Sequence, residues 1–286
     1  MDASAALPRL APPIALAVPL GIFFAAFVLA PMLLLAFVSL HNDTAMTQAG
    51  IGQYVKFLTD RFNLGILGST LLLGVEVTAL TLLIGFPLAY LYTQLPARWQ
   101  GPLMLLIVLP LLTSAVVRTF AWVVILGRQG IINTALLDLG LIAQPLKLLY
   151  TPGAVAVALA QIELPLMVLP LITTLMNIDP NLRQASLALG AGHWRTFVQV
   201  TLPLSIPGLL AGSLLVFASS VSAFVTQTLV GGGQHIFMPF YMYQQAIQAN
   251  NYPFAAAVAM LLLVCVLAAV VALNALGRRS RGFVHA

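Results

Sequence analysis

The 286 residues are 61% hydrophobic and only 7% charged, with 12 Lys+Arg against 7 Asp+Glu. A soluble domain carries roughly a quarter charged residues, so this composition excludes a water-soluble enzyme, a disordered chain and a nucleic-acid-binding domain. The net charge of +5 comes from basic residues scattered or gathered at loop ends, and the single Cys265 excludes an intramolecular disulfide and a multi-cysteine zinc site.

Six segments reach the ~20 apolar residues that a bilayer core demands. The first, 14–40, holds no charge. Its apolar run far exceeds the roughly 7–15 residues of a signal-peptide core, and Asp2 with Arg9 makes a weak basic start. It reads as a retained helix after a cytoplasmic tail, 1–13. A long outer loop follows. The second span, 68–92, contains Glu76, for which packing against another helix is the favoured reading and a place on the substrate path the second. The third, 103–126, carries Arg118 four residues before Trp122, a spacing that suits a cation–π contact. The outer loop after it should hold a short amphipathic helix over 131–139. The fourth span, 153–176, has Glu163 near its middle. In the fifth, 206–229, Ser219, Ser222 and Thr226 fall at i, i+3 and i+7, and Ser220 and Gln227 widen the polar surface. Gly208, Gly212 and Ser213 form a small-residue packing face there. The sixth, 254–276, is apolar around Cys265 and leads into a basic tail, 277–286. The apolar runs are continuous rather than alternating, which favours helices over an outer-membrane barrel. The expected fold is therefore all-α, a polytopic membrane protein with six transmembrane helices.

An ionisable group at mid-span is expensive and faces a cavity or a partner. Glu163 either supplies negative potential for a cationic solute or supports the helix where Pro165 and Pro170 free backbone carbonyls. Both readings stand at this point. Orientation follows from the basic residues. With the N-terminus inside, the inner side holds Arg9, Arg98, Arg183, Arg195, Arg278, Arg279 and Arg281, and the outer side only Lys56, Arg61, Arg128 and Lys147. Both termini are expected in the cytoplasm.

The inner segment 177–203 is polar enough to leave the membrane yet helical in pattern. Asp179 before Pro180 reads as an N-cap with proline in the first turn. Leu182, Ala185, Ser186 and Leu189 follow at i, i+3, i+4 and i+7. Gly190 and Gly192 stop this helix, and a second short one runs over 193–201 to Pro203. The pair offers a small knob to a cytoplasmic partner.

That segment resembles a known motif. Gln184-Ala185-Ser186, three residues, Gly190, then Val200-Thr201-Leu202-Pro203 is similar to the EAA loop of bacterial binding-protein-dependent ABC importer permeases. It departs from that pattern at Gln184, where the family has Glu, and at Ser186, where it has Ala. The stretches from Val117 to Asn133, Tyr150 to Leu171 and Leu229 to Gly233 look like the spermidine/putrescine branch, so the resemblance spans most of 65–276. It implies a type I importer permease of the bacterial inner membrane. It also implies the partners: two cytoplasmic ATPase subunits, a second and often different permease, and a periplasmic solute-binding protein. The implied substrate is a small amino-bearing or cationic, polyamine-like solute. Leu182, Gln184, Ala185, Ser186, Leu189 and Gly190 would form the ATPase coupling loop. The residues themselves assign Glu163, Ser219, Ser222 and Thr226 to the substrate pathway, with helix-to-helix glue the other reading of the Ser/Thr stripe.

The chain has no G-x-x-x-x-G-K-[ST] loop, and Gly231-Gly232-Gly233 lacks the lysine, so ATP hydrolysis falls to a partner. No cofactor is expected. His41, His193, His235 and His285 show no metal-ligand spacing. The alternatives are a polytopic membrane enzyme and an ATP-independent transporter. The first lacks a Ser–His pairing, an H-E-x-x-H or paired aspartates in its spans, and the second is disfavoured by the lack of an internal repeat.

Overall fold

The first apolar run folds as α1 (Pro13–Phe24), a π-helical turn (Ala25–Leu29) and α2 (Ala30–Ser39) in a computed structural model that describes residues 13–281, with side chains over 18–275. The tail expected at 1–13 lies outside the described residues except for Pro13, and the basic tail expected at 277–286 is described only as helical backbone to Arg281. The π turn has a local cause. Pro31 has no amide for the carbonyl of Phe27, and its ring would press on that carbonyl in a regular α-helix. A wider turn, closed by Ala30 N–H onto the Ala25 carbonyl, relieves it. The same arrangement recurs before Pro203, where Leu202 N–H donates to the Phe197 carbonyl.

The outer loop is organised by Asp43. Its carboxylate accepts from Thr47 N at 3.0 Å, Thr47 Oγ1 at 2.6 Å and Gln48 N at 2.8 Å, bonds that hold its pKa down at about 2. Helix α3 (Gly52–Thr59) follows, then α4 (Arg61–Gln94), capped by Asp60 accepting from Phe62 N at 2.9 Å. At 34 residues α4 is longer than the span expected for it and projects on both sides.

The third expected span is not one helix. It is α5 (Ala97–Val108), a 3₁₀ turn (Leu109–Leu112) and α6 (Ala115–Leu126), separated by Thr113 and Ser114 in extended conformation at ψ 147° and 134°. Pro110 supplies no amide to the preceding turn, so the helix tightens and stops there. Helix α7 (Ile131–Asp138) is the short outer helix expected from the sequence. Its buried Asn133 staples the loop, donating to the Gly127 and Leu146 carbonyls at 3.0 Å each and accepting from Leu146 N at 2.8 Å.

The fourth span, α8 (Pro152–Met176), is capped by Thr151, whose hydroxyl accepts from Ala154 N at 3.1 Å. The inner segment gives α9 (Pro180–Ala188), α10 (His193–Thr196) and the π turn Phe197–Thr201, which runs straight into α11 (Leu202–Ser222). The fifth expected span is also broken. Helix α11 stops at Ala223, and α12 (Phe224–Gly231) restarts at an angle set by φ −73°, ψ 73° at that residue. The outer helix α13 (Met238–Tyr243) and a π turn (Gln244–Gln248) lead to the last span, α14 (Tyr252–Arg281).

Among the described residues every regular element is helical, apart from an isolated bridge between His41 and Ala49, and six stretches are long and apolar enough to cross a membrane. The core is built around α8, of whose most apolar window 67% is buried within the chain, against 0% for the first span. Helices α4 and α11 pack along α8, and small residues let the backbones approach. A Cβ on Gly212 would sit 3.0 Å from the Met167 carbonyl oxygen, one on Gly208 2.8 Å from that of Pro170, and one on Gly85 3.1 Å from Met167 Cγ. The small-residue face expected in the fifth span is thus the seam between α11 and α8.

Candidate functional site

The polar residues of the spans gather where α6, α8 and the α11–α12 break meet. Glu163 lies near the middle of the 25-residue α8 and is 7% exposed. The Ser219 side chain and the Arg118 guanidinium lie near its carboxyl group. Arg118 is half-buried, and its Nη1 donates to the Ile162 carbonyl at 3.1 Å, in the turn before Pro165. Its Nε is buried with no partner in the chain. Trp122 does not stack on Arg118. Its indole donates to Gln161 Oε1 at 3.1 Å, and Gln161 is exposed.

The stripe expected over Ser219, Ser222 and Thr226 is not continuous. The break at Ala223 turns α12 away, so Thr226 is buried and shares a 2.8 Å hydrogen bond with Thr119 Oγ1 of α6. Ser222 stays exposed, its hydroxyl donating to the Ala218 carbonyl at 2.9 Å, and Ser219 is half-buried. The carbonyls freed by the break are covered from within, because Gln227 Nε2 donates to the Ser220 carbonyl at 2.8 Å and approaches that of Val221 at 3.4 Å. A broken helix is stable at membrane depth only where such groups are met by protein or by a water-filled cavity.

Glu76 also departs from expectation. It does not pack against another helix of the chain. It is exposed and lines an open cleft of about 450 Å³ with Ser69, Gln234 and His235.

On the inner side, Asp179 caps α9 by accepting from Asn181 N at 2.9 Å. Leu182 and Leu189 are 47% and 89% exposed, and Gln184 and Ala185 are exposed between them. Ser186 faces the other way, half-buried, in a 2.9 Å hydrogen bond with Thr196 of α10. Gly190 ends the helix at φ +84°, a left-handed conformation that glycine adopts without penalty. Arg183 reaches from α9 to the end of α4. Trp194 is 77% exposed beside Phe197.

Residues 5–282 match the family of binding-protein-dependent transport system inner membrane components. The chain belongs to this family. Among its relatives is the spermidine/putrescine transport system permease protein PotB of Haemophilus influenzae, 32% identical over 237 residues that cover 82% of this chain and 83% of that protein. The Escherichia coli PotB is 31% identical over 212 residues, 74% of this chain and 77% of that protein. The fold matches a bacterial ABC transporter involved in the import of the acidic polysaccharide alginate, with a TM-score of 0.74 at 19% identity over 93% of this chain and 94% of that one. The chain is therefore a multi-pass inner-membrane permease subunit with the type I importer fold, not an enzyme in its own right.

Gln161, two residues from Glu163 and so turned to another side of α8, is exposed and bonded to Trp122, as its spacing leads one to expect. One feature of the permease has no sequence signal. Thr119 braces the α11–α12 break, and nothing in the spacing of polar residues links it to Thr226.

Proposed function

We propose that the permease carries a small cationic, amine-bearing solute of the polyamine class inward. In this reading it works beside a second, related permease, receives solute from a periplasmic binding protein and is driven by a cytoplasmic ATPase dimer. The observation that carries the substrate class is Glu163, an acid nearly enclosed at mid-span next to a broken helix. Buried ionisable groups at this depth mark solute paths more often than packing. The spermidine/putrescine relatives support the same class, and the alginate transporter of like fold has been solved in complex with a periplasmic protein carrying an alginate pentasaccharide. Glu163 supplies the negative potential, Ser219 and Ser222 the adjoining polar surface, and Thr226 braces the break that shapes it. Arg118 lies near Glu163, so an arriving ammonium meets a cation already there.

The test is uptake of radiolabelled spermidine and putrescine into vesicles holding the whole complex. Glu163→Gln keeps the shape of the side chain and removes the charge. Uptake should fall about tenfold, the equivalent of ~1.4 kcal/mol of lost attraction, with assembly intact. Parent-level uptake by this variant would leave Glu163 a purely structural role.

We place α9 and α10 in the cytoplasm, with both termini on that side. The excess of basic residues on that face supports it. The exposed Leu182, Gln184, Ala185 and Leu189 then form the surface that seats in the ATPase, with Ser186 tying α9 to α10 and Gly190 setting the turn. A reporter fused after Arg281, or a tag at Gly192, should read cytoplasmic. A periplasmic reading from either reverses the topology.

A further inference from the structure

Arg183 leaves α9 on a side turned from Leu182 and Leu189 and ends on α4. Its Nη2 donates to Tyr90 Oη at 2.9 Å and lies 3.4 Å from Gln94 Oε1, while the guanidinium carbon sits 5.5 Å from the Tyr90 ring centre. Tyr90 and Gln94 are one turn apart on the last stretch of α4, where the helix carbonyls are unsatisfied and a cation is favoured. A planar guanidinium can stack on the ring and bond the hydroxyl at once, which an ammonium cannot do with the same geometry.

The contact joins elements that the chain does not join. The two residues are 93 positions apart, whereas α9 is covalently linked only to α8 and α10. Between α9 and the ends of α4 and α8 lies a cavity of about 210 Å³, lined by Tyr90, Leu175, Ile178, Pro180, Arg183 and Thr201. Thr201 Oγ1 is buried there without a partner. The tie from α9 to α4 is therefore one polar clasp across a void, and it can be undone without emptying a core. On the far side of Tyr90, Phe197 meets the ring edge-on at 5.4 Å, so α4 is also held to the start of α11.

We propose that Arg183 is a positioning residue that makes α9 and α4 move as one body when the ATPase displaces α9. This rests on α9 being the ATPase contact. Force entering at α9 then reaches α4 directly as well as through the chain, and α4 in turn lies along both α8 and α11.

The test uses the complete complex in nanodiscs on a Cys265→Ala background, with spin labels at Leu91 of α4 and Asn181 of α9, both exposed. The parent should show one narrow label distance, the same without nucleotide and after trapping with ATP and vanadate. Arg183→Met should retain its ATPase on copurification yet add a second, longer distance in the trapped state. That population should rise on the order of tenfold, the factor lost with a charged hydrogen bond. Tyr90→Phe keeps the ring and should do less, and the double variant should be no worse than Arg183→Met alone, because both act through one contact. The proposal is overturned if Arg183→Met keeps the single distance in both states. It is equally overturned if the parent distance itself changes on trapping, or if Arg183→Met sheds the ATPase. The underlying reading fails separately: an Ala185→Asp complex that hydrolyses and transports like the parent would remove α9 as the ATPase contact whatever the labels show.

Discussion

Gly212→Val is expected to keep the permease from packing. A Cβ at that position would lie 2.8 Å from Met167 Sδ, 3.0 Å from the Met167 carbonyl oxygen and 3.1 Å from its Cα. The sulfur can swing aside, but the two backbone atoms belong to the central helix and move only with it. Valine adds two more carbons beyond that Cβ, and its branched side chain has few rotamers to choose from in a helix. Overpacking of this kind costs about 1–3 kcal/mol, and more where backbone must move. A domain holds only about 5–15 kcal/mol in total. The variant should be recovered at a small fraction of the parent yield, with a broad size-exclusion profile in detergent and a lowered melting point. Gly65→Val is the control, because a Cβ there meets nothing within 4 Å. If Gly212→Val matches the parent in yield and melting, the α8–α11 seam is looser than these distances state.

Ala185→Asp and Gly190→Val should leave the permease folded and in the membrane but part it from ATP hydrolysis. Ala185 is exposed between Leu182 and Leu189 on a helix with a free face. Once that face is seated in the ATPase, an aspartate there becomes a buried charge without a partner, which is strongly unfavourable. Gly190 acts by another route. A Cβ on it meets nothing within 4 Å, so there is no clash, but φ +84° is a conformation that a β-branched residue resists. The penalty is about 1–3 kcal/mol, and the chain avoids it by opening the turn and re-aiming α9. Gly192→Ala is the matched control. Gly192 has φ −69°, and a Cβ there also meets nothing within 4 Å. The measurements are ATPase copurification and hydrolysis stimulated by the binding protein in vesicles. Should both variants bind and hydrolyse like the parent, the coupling surface lies elsewhere.

The helices that the sequence announced were those whose cause is local. Continuous apolar runs gave the spans, Asp179-Pro180 and Gly190 bounded α9, and the glycines of α11 marked its seam. The two breaks differ in how visible they were. Pro110 is a local cause visible in the sequence of the third span, where the length of the apolar run alone suggests one helix. Ala223 carries no such local cause. The break there is held by contacts that exist only in the fold, the Gln227 amide on the freed carbonyls and the Thr119–Thr226 pair. That is why a polar stripe laid out on an unbroken helix placed Thr226 on the wrong surface. Ser186 teaches a related lesson. It is one residue from Ala185, and a step of one residue turns about 100° around a helix, enough to point it at Thr196 rather than outward. Glu76 depended on which face of α4 the neighbours would cover, and periodicity alone leaves that open on a helix apolar nearly all round.

The central position of α8 also bears on how the protein enters the membrane during synthesis. The first and last spans have mean hydropathies of 2.6 and 3.1 and carry no acid or base in their apolar windows, so each can partition into lipid unaided. Helix α8, at 2.1, holds Glu163, Gln161 and two internal prolines. A charged residue at the centre of a lone helix adds about 2.5–3.5 kcal/mol to the free energy of insertion. Within the assembled fold Arg118 and Ser219 lie near the carboxyl group, and α4 and α11 pack along the helix. Insertion of α8 is then tied to the helices around it. The span that emerges fourth from the ribosome meets α4 and α6, already delivered, and is covered by α11 when that arrives.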